Sequence, residues 1–109
     1  MICYICSPYR GETSKQIDRH IKYAVHLTRE ALLQGNYPVT PHLYYTVALD
    51  DKKEEERKIG MEAALELIKS CDVLIVGQRY GISKGMEMEI NVAKQLNKPI
   101  YYFEKQEET

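Results

Sequence analysis

One carboxylate in this sequence stands among apolar neighbours. In the segment Gly81-Ile82-Ser83-Lys84-Gly85-Met86-Glu87-Met88-Glu89-Ile90, projection at about 100° per residue gathers Glu87, Asn91, Lys94 and Gln95 on one side of a helix. Glu89 falls instead in the apolar arc of Met86, Met88, Ile90, Val92, Ala93 and Leu96, which aims its carboxylate at a sheet or a cleft. Burying it costs on the order of several kcal/mol unless it is paired or hydrogen-bonded. The helix dipole and a tyrosine hydroxyl from a neighbouring strand are candidate sources of compensation; a half-exposed Glu at the edge of the face is the alternative. The glycine-containing loop that runs into this helix presents free N–H groups, which together with the dipole favour an anion such as phosphate or carboxylate. The residues alone fit equally well a loop whose glycines only make the turn and whose Ser83 only caps the helix.

The elements that must position these groups alternate along the chain. Ile2 to Cys6 reads as a buried strand, followed by the turn-rich loop Ser7-Pro8-Tyr9-Arg10-Gly11. A first helix follows, with Thr13 and Gln16 at capping-box spacing, apolar residues at Ile17, Ile21, Ala24, Val25 and Leu32, and Gly35 as its stop. Tyr37 to Thr40 is a short strand ended by Pro41, and His42-Leu43-Tyr44-Tyr45 reads as irregular. Asp50 to Arg57 predicts the solvated first turns of a second helix that Met61, Ala64, Leu65 and Ile68 carry on to Ser70. Asp72 to Gly77 holds Val-Leu-Ile-Val, apolar on both faces as at the centre of a parallel sheet. Ser83 to Leu96 is the third helix, closed by Asn97 and Pro99, and Ile100 to Phe103 the fourth strand; the acidic tail Lys105 to Thr109 reads as frayed. This pattern predicts an α/β three-layer sandwich with a four-stranded parallel sheet in the order 2-1-3-4, flavodoxin-like (Rossmann-like). Its switch point lies between the first and third strands, so a ligand should meet the loops after Cys6 and Gly77.

Composition bounds the function. At 109 residues the chain reads as one domain, 1–109, that must hold the whole activity. Charges of mixed sign sum to -1, so no polybasic footprint for a nucleic acid polymer is present. The apolar runs are too short to span a bilayer and the start MICYIC lacks a secretory leader, so the expected location is cytoplasmic. Cys3, Cys6 and Cys71 are an odd set without a zinc-type second pair, so neither a disulfide nor a metal is expected, and no cofactor. Cys3 and Cys6 lie in a strand, where alternation sends them to opposite faces, and read as small buried hydrophobes rather than a redox pair. His20 and His26 read as surface or flank residues of the first helix. His42, at a strand end, could approach a ligand, with Tyr44 and Tyr45 available to stack on it.

The pattern Ser83-x-Gly85-x-x-x-Glu89-x-x-x-Ala93, behind an apolar strand headed by Cys71-Asp72, resembles nucleoside 2-deoxyribosyltransferases and 2'-deoxynucleoside 5'-phosphate N-hydrolases. Tyr4-Ile5-Cys6-Ser7-Pro8-Tyr9-Arg10-Gly11 is similar to that superfamily's first strand and ligand loop. The whole pattern, with Pro41-His42 and Gly85-Met86, resembles most a short phage and bacterial subgroup. The resemblance implies that Glu89 is the nucleophile attacking the anomeric carbon of a 2-deoxyribosyl group, as in a retaining glycosidase, and that Tyr4 positions it. Without the resemblance, Tyr4 is equally a packed core tyrosine. The implied ligand contacts are Ser7, Tyr9, Arg10, Gly11, His42, Ser83, Gly85 and Met86. Ser83 in place of an acid implies a phosphorylated ligand, which Arg10 could pair with; on composition alone Arg10 is as readily a surface charge.

Two departures bear on activity. The acid that assists the leaving base falls at Ala64, leaving Asp50, Asp51 or Glu62 to substitute, and the sequence stops before the fifth strand through which larger members complete a neighbour's site. Both departures count against activity; the function the resemblance implies is still an N-glycosidic hydrolase, or deoxyribosyltransferase, of a (deoxy)nucleoside 5'-monophosphate. The alternative is a non-catalytic nucleotide-binding module, a sensor or sponge. A homodimer or larger homo-oligomer is expected, with the second and third helices or Tyr44 to Leu49 at the interface.

Overall fold

Residues 1–103 are described in the computed structural model; the expected frayed tail lies outside them. Four strands, β1 (Ile2–Cys6), β2 (Tyr37–Val39), β3 (Val73–Gly77) and β4 (Ile100–Phe103), form one parallel sheet in the order β2-β1-β3-β4. The flavodoxin-like α/β order read from the sequence is the one observed. β1 lies between β2 and β3, with Tyr4 paired to Val39 on one side and Leu74 on the other. Cys3, Tyr4, Ile5 and Cys6 are all fully buried, as a central parallel strand covered on both faces requires.

Alternation along β1 sorts these side chains. Tyr4 and Cys6 enter the core with Ala64, Ile68, Leu74, Val76, Met86, Ile90 and Ala93. Cys3 and Ile5 enter the other with Tyr23, Leu27 and Ala31. The two cysteines therefore face opposite ways, and all three cysteines are free and buried.

Helix α1 (Ser14–Leu33) starts where expected, with the Thr13 hydroxyl accepting from Gln16 N at 3.1 Å. The Gln16 side chain accepts from Glu12 N at 2.8 Å, one residue before the cap. Its buried face, however, is not the one the aliphatic spacing suggested. His20, Tyr23, Ala24, Leu27 and Ala31 face the sheet, while Ile17, Ile21, Val25 and Leu32 are exposed. The reason lies at the end of β3, where Gly77 has no side chain. A Cβ there would lie 2.5 Å from Leu27 Cδ1 and 2.7 Å from the Tyr23 hydroxyl, so the space Gly77 vacates is the socket these two residues fill.

Between β2 and the next long helix the structure corrects the sequence reading twice. The segment His42 to Tyr45, expected irregular, opens a short helix α2 (His42–Ala48). Pro41 precedes it with helical dihedrals, which proline's fixed φ favours at a helix start, and Thr46 Oγ1 donates back to the His42 carbonyl at 2.8 Å. The long helix α3 (Glu54–Ser70) begins at Glu54, not Asp50. Asp50 turns the chain first, its Oδ1 accepting from Lys52 N at 3.0 Å and its carbonyl from Lys53 N at 3.0 Å. Glu54, Glu55 and Glu56 then occupy the first turn, where acidic residues suit the dipole. Helix α4 (Lys84–Gln95) is capped by Ser83 and followed, after its C-cap Leu96, by Asn97, whose φ of 56° is the left-handed turn that stops a helix.

Candidate active site

Glu89 lies in the second turn of α4 and is 1% exposed, which removes the half-exposed alternative. The dipole's influence fades beyond the first turn, so its charge must be met by side chains. Two elements, β1 and α2, supply them. The Tyr4 hydroxyl of β1 donates to Glu89 Oε2. His42, the first residue of α2, places Nε2 at 3.2 Å from Oε2 and 3.4 Å from Oε1; a carboxylate only accepts, so Nε2 carries the proton. Cys6, two residues along β1 and on the same face as Tyr4, directs its thiol to Glu89 Oε1 at 3.6 Å. Burial and the Glu89 charge push both the Tyr4 phenol and the Cys6 thiol well up, so both keep their protons and remain donors. Oε2 is thus tightly held, and Oε1 has only the two longer contacts.

The first loop closes over this cluster. The Tyr9 ring lies on the His42 imidazole at 4.1 Å and 13°, and the Tyr4 ring meets the same imidazole edge-on at 6.5 Å. Burial raises the Tyr9 phenol, with Asp51 and Glu89 adding to the effect and Arg10 and Arg57 opposing it. Ser7, just past β1, is buried, and its Oγ finds no hydrogen-bond partner among the described residues. An unmet buried hydroxyl is uncommon, and here it lies at the carboxyl end of the central strand where ligands of this fold class bind.

Arg10 is half exposed and its Nε pairs with Asp51 Oδ2 at 3.0 Å. Gly11 packs against the start of α1, where a Cβ would lie 2.8 Å from Gln16 Cβ and 3.1 Å from Ile17 N. Tyr9, Arg10, Gly11, His42 and Asp51 together line a groove of about 350 Å³ between the loop and α2. Ser83 is exposed and its Oγ accepts from Met86 N at 3.2 Å. Gly85 leaves room for Met61, whose Cε would be 3.3 Å from an added Cβ. The Met86 side chain is 1% exposed, with its sulfur accepting from Ser83 N at 3.4 Å, so it belongs to the core. The structure therefore brings Tyr4, Tyr9, His42 and Glu89 together, puts Arg10 and Gly11 in the adjoining groove, and leaves Ser83 and Gly85 at the amino end of α4. A larger groove of about 570 Å³ runs along α1 and the loop after β3, lined by Lys15, Arg19, Lys22, Arg79 and Tyr80 among others; Glu89 and its partners do not line it.

Two neighbours of the candidate site were missed in the sequence. Cys6 was read only as a small hydrophobe, although sharing a strand face with Tyr4 was a usable signal. His20, read as a surface or flank residue, is 9% exposed, with Nδ1 at 2.7 Å from the Arg10 carbonyl; it pins the loop after β1, and Nδ1 must carry the proton. Its position three residues before Tyr23 and seven before Leu27 puts it on the buried face. Burial pushes the His20 imidazole down, partly opposed by the bond to the Arg10 carbonyl. Above about pH 6.5, the ordinary histidine value, both folded and unfolded states hold it neutral. Below that the unfolded chain takes the proton first, so stability declines until folded His20 also protonates. Thermal melts of wild type between pH 5 and 8 should lose stability more steeply on acidification than those of His20→Gln; parallel profiles would remove His20 as the cause.

Among the described residues no three His, Cys, Asp or Glu side chains converge as a metal site, and no helix is long and apolar enough to cross a membrane. The sheet order, the crossovers and a buried carboxylate at the carboxyl ends of the strands define a flavodoxin-like α/β domain. Across its whole length the chain is similar in structure to a 2-deoxyribosyltransferase of Bacillus psychrosaccharolyticus, with a TM-score of 0.69, 22% sequence identity, and 100% of this chain and 76% of that one covered. The chain belongs to the family described as a domain of unknown function, DUF7768, whose profile matches residues 1–103. No curated protein matches its sequence significantly.

Proposed function

We propose that this chain breaks the N-glycosidic bond of a (deoxy)nucleoside 5'-monophosphate, as a hydrolase or a deoxyribosyltransferase, with Glu89 as nucleophile. The observation that carries the reading is a buried carboxylate held by three donors from two elements, Tyr4 and Cys6 on β1 and His42 on α2. A Glu retained only for packing has no use for that arrangement, since a hydrophobic residue of similar volume is as stable or more so. The likeness to a 2-deoxyribosyltransferase fold favours the same chemistry. Glu89 Oε1, with the weaker contacts, is the oxygen that attacks the anomeric carbon, while Tyr4 and His42 fix Oε2 and hold the carboxylate's orientation. The developing oxocarbenium charge is stabilised by the same anion before the bond forms. Ser7 Oγ is available to a sugar or phosphate oxygen, and Arg10 and Ser83 to the phosphate. Because Glu89 is 1% exposed, substrate entry requires Tyr9 to leave His42.

That same closure favours a second reading, a nucleotide-binding module without chemistry. Ala64, where the resemblance places an acid, is wholly buried in the core and contributes none. Incubation with each deoxynucleoside monophosphate and chromatography of free base separates the two. Base from at least one substrate is the expected result. A ligand-induced rise in melting temperature with no base from any substrate would establish the second reading instead.

A further inference from the structure

We propose that Cys6 is a positioning residue whose thiol, a weak donor to Glu89 Oε1, sets the rates at which that oxygen takes up and gives back the sugar; the assignment rests on the N-glycosidic reading above. Geometry puts the thiol at the reacting atom. Cys6 and Tyr4 project from the same face of β1 and reach different oxygens of Glu89, Tyr4 the Oε2 and Cys6 the Oε1 at 3.6 Å. Cys6 is wholly buried, so solvent does not reach its proton, and burial with the Glu89 charge keeps that proton on the sulfur. His42 Nε2 is also near Oε1, at 3.4 Å, but stands closer to Oε2, at 3.2 Å.

The strength of this donor matters because the charge on Oε1 changes during the reaction. An Oε1 lone pair bonds to C1' while the C1'–N electron pair departs with the base, which draws a proton from solvent. Water then bonds to C1' and yields a proton to solvent, and the C1'–Oε1 pair returns to Glu89. A donor on Oε1 favours the free carboxylate over the ester, so it slows the first step and speeds the second. A hydroxyl in place of the thiol restrains attack more, and an apolar side chain leaves Oε1 a poorer leaving group. The thiol lies between these, since S–H is a weak donor. Its proton also has a second acceptor. The Met86 carbonyl lies 3.8 Å from Cys6 Sγ, so the buried proton keeps a partner while Oε1 is bonded to the sugar.

Cys6→Ser and Cys6→Ala test this role in full-length protein with the 2-fluoro-2-deoxyribosyl nucleotides of the four bases, whose adduct lasts long enough to follow. First-turnover base release reads the rate of attack, and intact-protein mass spectrometry reads the rate of adduct loss. Cys6→Ser is expected to slow attack and hasten adduct loss, each by about three- to tenfold, the span of one neutral hydrogen bond. Cys6→Ala is expected to do the reverse. A side chain that only fills space would move both steps in the same direction or move neither, and either result would overturn the proposal. The contact itself is read without turnover from the infrared S–H stretching band, assigned by its loss in Cys6→Ala. Glu89→Gln should move that band to higher frequency, because the charged acceptor is gone. A band that Glu89→Gln leaves in place overturns the contact while the N-glycosidic reading stands. If wild type releases no base from any deoxynucleoside monophosphate, that reading itself falls and the kinetic role with it, whether or not the band moves.

Discussion

Glu89→Gln is expected to lower base release by at least about 1000-fold, the scale of removing a nucleophile from an otherwise intact site, without lowering the melting temperature. The two halves of that result belong together. Glutamine has the same shape and can still accept from Tyr4 on its amide oxygen, but it carries no charge. The buried carboxylate is costly to the fold even with Tyr4, His42 and Cys6 around it, and neutralising a buried ionic group is often neutral or stabilising. A site kept for chemistry shows activity lost and stability held or raised. A variant that melts markedly lower, with base release unchanged, would make Glu89 a structural residue.

The second large effect is on stability. Tyr4→Phe removes the one direct oxygen donor to Glu89 while leaving the carboxylate buried. Hydrogen bonds to charged groups contribute roughly 1.5–3 kcal/mol, and uncompensated buried charges cost more. Denaturant unfolding should therefore show a loss of about 2–4 kcal/mol. Most of it should disappear in the Tyr4→Phe, Glu89→Gln double variant, because the penalty comes from the stranded charge and the two sites are coupled. Losses that simply add would mean that the tyrosine stabilises through packing, independently of the carboxylate. Turnover in Tyr4→Phe should also fall by at least about tenfold, since the nucleophile loses its orientation.

Much of this architecture was legible because few physical options existed. The runs at β1 and β3 are apolar on both faces, which only central parallel strands accommodate, and they fixed the sheet order. Glu89 was legible as a charge in an apolar arc. The face of α1 was not. Ile17, Ile21 and Val25 are more hydrophobic than His20 or Tyr23, and the choice between them was made by Gly77 on a strand more than forty residues away. Helix α2 was hidden by aromatic and β-branched residues, Tyr44, Tyr45, Thr46 and Val47, whose helix propensity is low; Pro41 and the Thr46 back-bond are local features that outweigh it. The His42 contact depended on α2, since an irregular segment gives the imidazole no fixed direction.

The central claim is that Glu89 becomes bonded to the sugar. Incubating the protein with a 2-fluoro-2-deoxyribosyl nucleotide, whose intermediate hydrolyses slowly, and mapping peptides by mass spectrometry tests this most directly. The expected result is one sugar phosphate per chain, attached to Glu89 and absent from Glu89→Gln. An adduct on any other residue, or base release from the analogue with Glu89 left unmodified throughout, would contradict it.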